Sequence, residues 1–201
     1  MTKVSDSNRA RRLALLALIA VSGCAVSGCA QQQRPDGGKG LLPIGASAPD
    51  LAGQTLDDRI VRLADVRGCP AVVYFYPRDG TPGCTKEACA FRDSWARFRE
   101  AGVTIFGVST QSSARHRAFA TEHQLRFPLV ADESRQVQHA YGVPNALLGF
   151  GEARVSFLID PAGRVARVWP DVDPALHAGE VLSAAAALSG AAAPPARCTR
   201  S

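Results

Sequence analysis

Residues 71–76, Ala-Val-Val-Tyr-Phe-Tyr, run without a charged or amide side chain, and no other stretch of the 201-residue chain constrains its fold as strongly. A strand with one wet face alternates apolar and polar residues, whereas a continuous β-branched and aromatic run fits a strand covered on both faces. The chain supplies that cover in alternating segments. "VTIFGVS" (103–109) is a second such run, separated from the first by a helical pattern. Ser112 to His123 reads as a helix, "RFPLVAD" as a short strand and Ser134 to Tyr141 as a short helix. In "VSFLIDPAGRVARVW", two apolar runs joined by Asp160-Pro161-Ala162-Gly163 predict a β-hairpin, so an antiparallel strand ends the sheet. Pro174 to Leu188 reads as a closing helix, and residues 45–68 as an N-terminal hairpin. The sum is an α/β sandwich with a mixed central sheet. At 46% apolar and 20% charged, the chain has enough apolar content for one well-cored domain with tails.

The first residues read as an address. A basic stretch ending at Arg12 runs into "LALLALIAV", Leu13 to Val21, which is short for a membrane span and suited to a signal-peptide core. "VSGC" follows twice, ending at Cys24 and at Cys29. Residues 1–23 carry +3 of the formal net charge of +5, so the remainder is only weakly basic and no nucleic-acid partner is expected. "QQQRPDGGKG" (31–40) has the composition of a flexible tether, and "GAAAPPARCTRS" that of a low-complexity tail. The expected division is a signal peptide at 1–23, a tether at 24–40, a domain at 41–190 and a tail at 191–201.

Two of the six cysteines, Cys84 and Cys89, follow the first strand in "YFYPRDGTPGCTKEACAFRD" (74–93). Their C-x4-C spacing matches neither a C-x-x-C dithiol nor a zinc pattern. Cys84, Ala88, Phe91, Trp95 and Phe98 step by four and three, one apolar stripe of a helix that starts near Cys84. That places the Cys84 thiol at a helix N-terminus, where unpaired N–H groups favour a thiolate, beyond the carboxyl end of a central strand.

The quoted stretch resembles the peroxiredoxins, thiol peroxidases of thioredoxin-like fold whose signature P-x-x-x-T/S-x-x-C is met by Pro77, Thr81 and Cys84. The second cysteine five residues on is similar to the subgroup called PrxQ or bacterioferritin comigratory protein, and the likeness runs from about Ile44 to Leu188. The resemblance implies a thioredoxin-like sandwich, a peroxidatic Cys84 and a resolving Cys89. It further implies that Pro77 shields the sulfur, Thr81 donates a hydrogen bond to the peroxide, and Arg154 holds the thiolate and polarises the O–O bond. Substrates would be hydrogen peroxide and organic hydroperoxides and the reductant a thioredoxin-like dithiol, with no cofactor implied; a monomer is favoured, the oligomeric state being left open by the sequence. The N-terminus likewise resembles a bacterial lipoprotein, with lipid on Cys24, or on Cys29 if the second box is used, and export to a membrane surface.

Other readings stay beside these. The leader could serve as a plain secretory signal or an uncleaved anchor. The domain could be an exported thioredoxin-like lipoprotein for disulfide exchange or client binding, or a binding module with an inert Cys84–Cys89 bond. Cys69 and Cys198 are expected to form a structural disulfide, as an oxidising compartment permits. His116, His123, His139 and His177 share no metal-ligand spacing and are expected at the surface, and Lys86 and Glu87 read as solvated helix residues.

Overall fold

A computed structural model describes residues 33–146, 151–189 and 198. The elements run β1 (Ala52–Gln54), β2 (Ile60–Arg62), a 3-10 helix (Leu63–Val66), β3 (Ala71–Phe75), α1 (Pro82–Asp93), α2 (Trp95–Glu100), β4 (Thr104–Ser109), α3 (Ser113–His123), β5 (Leu129–Ala131), α4 (Gln136–Ala140), β6 (Val155–Ile159), β7 (Val165–Trp169) and α5 (His177–Ser189). The seven strands form one sheet in the order β2-β1-β5-β4-β3-β6-β7. β3 pairs in parallel with β4, and β4 with β5, while β1, β2, β6 and β7 are antiparallel to their neighbours. This is the mixed α/β sandwich expected of the sequence.

Every residue of β3 is buried, because its two sets of side chains enter two separate cores. Val72, Tyr74 and Tyr76 pack with Cys84, Ala88, Phe91, Phe98, Phe119 and Val181, so this face is covered by α1, α2, α3 and α5. Ala71, Val73 and Phe75 point the other way, toward Leu42, Tyr141 and Val143. The expected apolar stripe is therefore real. It is carried by two helices, because Ser94 (φ −91°, ψ 4°) ends α1 and begins α2. Phe91 and Phe98 nevertheless remain fully buried.

Three features differ from the sequence reading. Residues 33–40, assigned there to a flexible tether, form a turn around Arg34, whose Nη1 donates to the carbonyls of Lys39, Gly40 and Leu41 at 3.2, 2.9 and 3.0 Å. Composition suggested freedom, but one buried guanidinium gathers the carbonyls of this Gly-rich segment. His116 and His177, expected at the surface, are 4% and 0% exposed, each with a polar partner inside the fold. Glu87, expected to be solvated, is fully buried. The leader with Cys24 and Cys29 lies outside the described residues, and among those described no helix is long and apolar enough to cross a membrane.

A disulfide joins Cys69 to Cys198, with Cα atoms 5.6 Å apart and a sequence separation of 129 residues. Cys69 sits in the turn before β3, so the bond pins the tail beside the amino end of the central strand. Closing so long a loop removes much denatured-state entropy, about 3–5 kcal/mol on a chain-entropy estimate. Cys198→Ser is expected to lower the melting temperature by roughly 10 °C, read by calorimetry under non-reducing conditions. A variant melting with the parent would show that the bond adds no stability.

Candidate active site

The site grows from the end of β3. Tyr76 still donates its N–H to Val108 O at 3.1 Å, after which the chain turns through residues 77–81, with Gly80 at φ +74°. Thr81 is extended and occupies the N-cap position of α1, and Pro82 follows at the first helical position, where a missing N–H costs nothing. The helix thus begins two residues before Cys84. The Thr81 hydroxyl does not cap it and instead donates to Arg78 O at 3.0 Å. Cys84 is left in the first turn, 2% exposed, with its side chain against the sheet.

Arg154 arrives from the neighbouring strand. Phe75 at the end of β3 pairs with Val155 at the start of β6, so the residue before Val155 stands over the first turn of α1. Its Nη2 donates to Cys84 Sγ at 3.3 Å, and its Nη1 pairs with Glu87. Gly83 makes room for this approach, since a Cβ there would sit 3.2 Å from Arg154 Nη2. On the far side of the loop Gly151, at φ +81°, lies so close to Pro77 that any Cβ would overlap the Pro77 carbonyl. Pro77 itself is half-buried. Cys89 is half-buried in the same unbroken helix, and both thiols are free.

A sulfur at a helix N-terminus, with a guanidinium beside it and a second thiol in reach of a local rearrangement, is suited to attack on an electrophile whose leaving group carries negative charge. The comparisons with known proteins agree. The AhpC/TSA family matches residues 44–168. The rice (Oryza sativa subsp. japonica) chloroplastic peroxiredoxin Q is 40% identical over 144 residues, 71% of this chain and 66% of the rice protein. The chain therefore spans just under two thirds of that plant relative. Among solved structures, peroxidoxin BcpB of Mycobacterium tuberculosis superposes with a TM-score of 0.67 at 31% identity, covering 74% of this chain and 99% of that one. The bacterioferritin comigratory protein of Xanthomonas campestris gives 0.65 at 34% identity, covering 76% and 100%.

The chain belongs to the AhpC/TSA family, in its peroxiredoxin Q group. Within this peroxiredoxin the structure brings Cys84 and Arg154 into contact and sets Pro77 and Thr81 at the two ends of one loop. Cys69 and Cys198 are bonded to each other near the other end of β3.

Glu87 was missed by the sequence reading. It lies one turn after Cys84 on the buried side of α1, and a carboxylate three residues beyond the cysteine of an apolar stripe was the available signal. Burial pushes its carboxyl up to about 7, with the Arg154 charge opposing. Burial would draw protons from Arg154, but the charges of Glu87 and Cys84 outweigh it and hold the guanidinium above its ordinary value. His177 lies edge-on to Phe91 and Trp169, with Nε2 2.8 Å from Ser156 Oγ. Burial and the Arg154 charge push it down to about 4, so it is neutral at physiological pH.

Next to Gly151, Glu152 is fully buried, and burial together with the charge of Asp132 pushes it up to about 9. A carboxyl raised in the fold stabilises fully below its unfolded pKa, and that contribution fades as pH rises through the folded value. For Glu152 the loss runs from about pH 4.5 to 9. Relative to the parent, the melting temperature of Glu152→Gln is expected to be several degrees higher at pH 8 than at pH 5, equivalent to up to roughly 4 kcal/mol of stability. Thermal melts at the two pH values decide it, and equal shifts would reject a buried neutral carboxyl.

Proposed function

We propose that this peroxiredoxin is a thiol peroxidase for hydrogen peroxide and organic hydroperoxides, using Cys84 as nucleophile and Cys89 as resolving thiol. The observation that carries this reading is the 3.3 Å contact from Arg154 Nη2 to Cys84 Sγ at the start of α1. The thiolate attacks one peroxide oxygen, the O–O bond breaks, and its electron pair leaves on the second oxygen, which takes a proton to become water or an alcohol. Arg154 stands where that charge develops, and the first-turn N–H groups add to it. Pro77 walls the pocket, and Thr81 turns its hydroxyl from the Arg78 carbonyl to donate to the substrate. The Cys84 sulfenic acid is then attacked by the Cys89 thiolate, forming a disulfide and releasing water. A thioredoxin-type dithiol returns both sulfurs to thiols. The Xanthomonas relative is described with an alkyl peroxide reduction activity, which supports the organic hydroperoxide assignment.

The chain is read as exported and lipid-anchored through Cys24, or Cys29, at a bacterial membrane surface. The leader composition supports this, as does the Cys69–Cys198 bond, which suits an oxidising compartment. Disulfide exchange as the main activity is disfavoured by the absence of C-x-x-C and by the arginine at Cys84.

One mass-spectrometric experiment tests the reading. Protein from a bacterial host, with Cys84 and Cys89 as thiols and the Cys69–Cys198 bond intact, receives one equivalent of hydrogen peroxide and is mapped by peptides. The expected products are a Cys84–Cys89 bond, an unchanged Cys69–Cys198 bond and a lipid-modified N-terminal cysteine. Unoxidised Cys84 rejects the peroxidase reading, and an unmodified soluble N-terminus rejects the anchor.

A further inference from the structure

The loop that connects β3 to α1 carries Pro77 and Thr81 at its ends, and its centre is tied to a part of the protein that the chemistry above does not use. Asp79, buried at 9% exposure, is the tie. Its Oδ1 accepts from the Tyr76 hydroxyl at 2.8 Å, and its Oδ2 faces His116 Nδ1 at 2.8 Å. His116 lies on α3 and is 4% exposed, and its Nε2 is 3.1 Å from Val130 O on β5. The Asp79 backbone N–H donates to the side-chain oxygen of Gln111, which precedes α3.

Both ring nitrogens of His116 thus face acceptors. A carbonyl only accepts, so Nε2 carries the proton it gives to Val130. The contact between Nδ1 and Oδ2 then requires a second proton between ring and carboxyl, because two lone pairs cannot approach to 2.8 Å without one. The result is a hydrogen-bonded link across 37 residues with one proton held between ring and carboxyl, shielded from water on both sides.

We propose that Asp79 and His116, with Tyr76, form a latch that positions the loop carrying Pro77 and Thr81, so that the peroxide pocket keeps its shape while α1 moves. Asp79 and His116 are positioning residues, since neither touches Cys84 among the contacts described, and Tyr76 joins them to the core in which Cys84 is packed. Asp79 is two residues from Pro77 and two from Thr81, so release at the centre displaces both ends. The latch partners lie just beyond β3, on α3 and on β5, none of which must rearrange for Cys84 to meet Cys89. A reacting group misplaced by about 1 Å loses much of its rate advantage.

The inference rests on the peroxidase reading and is tested with Asp79→Ala and His116→Gln in the full chain. An Asn amide would donate to Nδ1 of a neutral ring and keep the tie, so Asp79→Ala, which removes both side-chain oxygens, is the breaking variant. Its second-order rate of Cys84 oxidation by hydrogen peroxide is expected to fall about tenfold, while alkylation of Cys84 by iodoacetamide, which needs the thiolate but no peroxide pocket, changes less than about twofold. His116→Gln is expected to behave alike. A low-field ring N–H proton resonance from His116 is expected in the parent protein and lost in Asp79→Ala. Oxidation at the parental rate in folded Asp79→Ala overturns the latch. So does an equal fall in both rates, which marks a disturbed Cys84 in place of a displaced loop. Should the variants fail to fold, absence of the low-field proton from the parent overturns it independently. Failure of the peroxidase reading is distinct, because the parent itself would then leave Cys84 unoxidised.

Discussion

Cys84→Ser is expected to reduce peroxide consumption to the uncatalysed background, whereas Cys89→Ser completes one fast turnover and stops with a trappable sulfenic acid at Cys84. The asymmetry follows from placement. Only Cys84 lies in the first turn of α1, in contact with Arg154, while Cys89 is more than a turn further on, without that partner among the described contacts. Arg154→Gln keeps a donor near the sulfur but removes the positive charge, and a loss of about 10²-fold in the second-order rate is expected, as for other preorganised donors aimed at developing charge. It also leaves Glu87 buried without its cation, so a loss of stability should accompany the loss of rate. Stopped-flow oxidation with a sulfenic-acid trap measures all three variants. A Cys84→Ser protein that turns over peroxide like the parent removes the assignment altogether.

The parts of this site that could be read in the sequence are those written in local patterns. The uninterrupted run Ala71–Phe75 announced a doubly covered strand, the Pro/Gly loop announced its end, and the three-four spacing from Cys84 to Phe98 announced which helical face would meet the sheet. Features that depend on distant partners could not be read this way. Glu87 looks like a solvated helix residue until Arg154, 67 positions later, reaches it, and His116 looks superficial until Asp79, 37 positions earlier, meets its ring. Cys69 and Cys198 offered only two thiols that an oxidising compartment would permit to bond, and the 5.6 Å that joins them is a property of the folded chain. Arg34 is the instructive exception. Its partners are local, but Gly-rich composition hid the turn that one arginine organises.

Oxidation is expected to unravel the start of α1. In a regular helix five residues rise about 7.5 Å and turn about 140°, which leaves the Cα atoms of Cys84 and Cys89 roughly 8.7 Å apart on opposite faces. A disulfide requires about 4.4–6.8 Å, and the Cys69–Cys198 bond of this same protein spans 5.6 Å. The free thiols inside an intact Pro82–Asp93 helix therefore describe the reduced state, and resolution must break hydrogen bonds such as Thr85 N to Thr81 O at 2.8 Å. Glu87 eases this step. Its raised value means that the folded turn is favoured below about pH 4.5 and loses that support as pH rises through 7, so unwinding releases a strained carboxylate to water. Phe91 and Phe98, both fully buried, hold the remainder of the helical pair on the sheet, which confines the opening. Amide exchange over residues 83–90 is expected to accelerate about a thousandfold on oxidation, equivalent to roughly 4 kcal/mol of lost local stability, while residues 95–100 keep their protection. Hydrogen exchange read by mass spectrometry on the reduced and oxidised proteins measures both segments. Identical protection over 83–90 in the two states, or a Cys84–Cys89 bond inside an unbroken helix, would falsify the switch, because no regular helix brings these two sulfurs together.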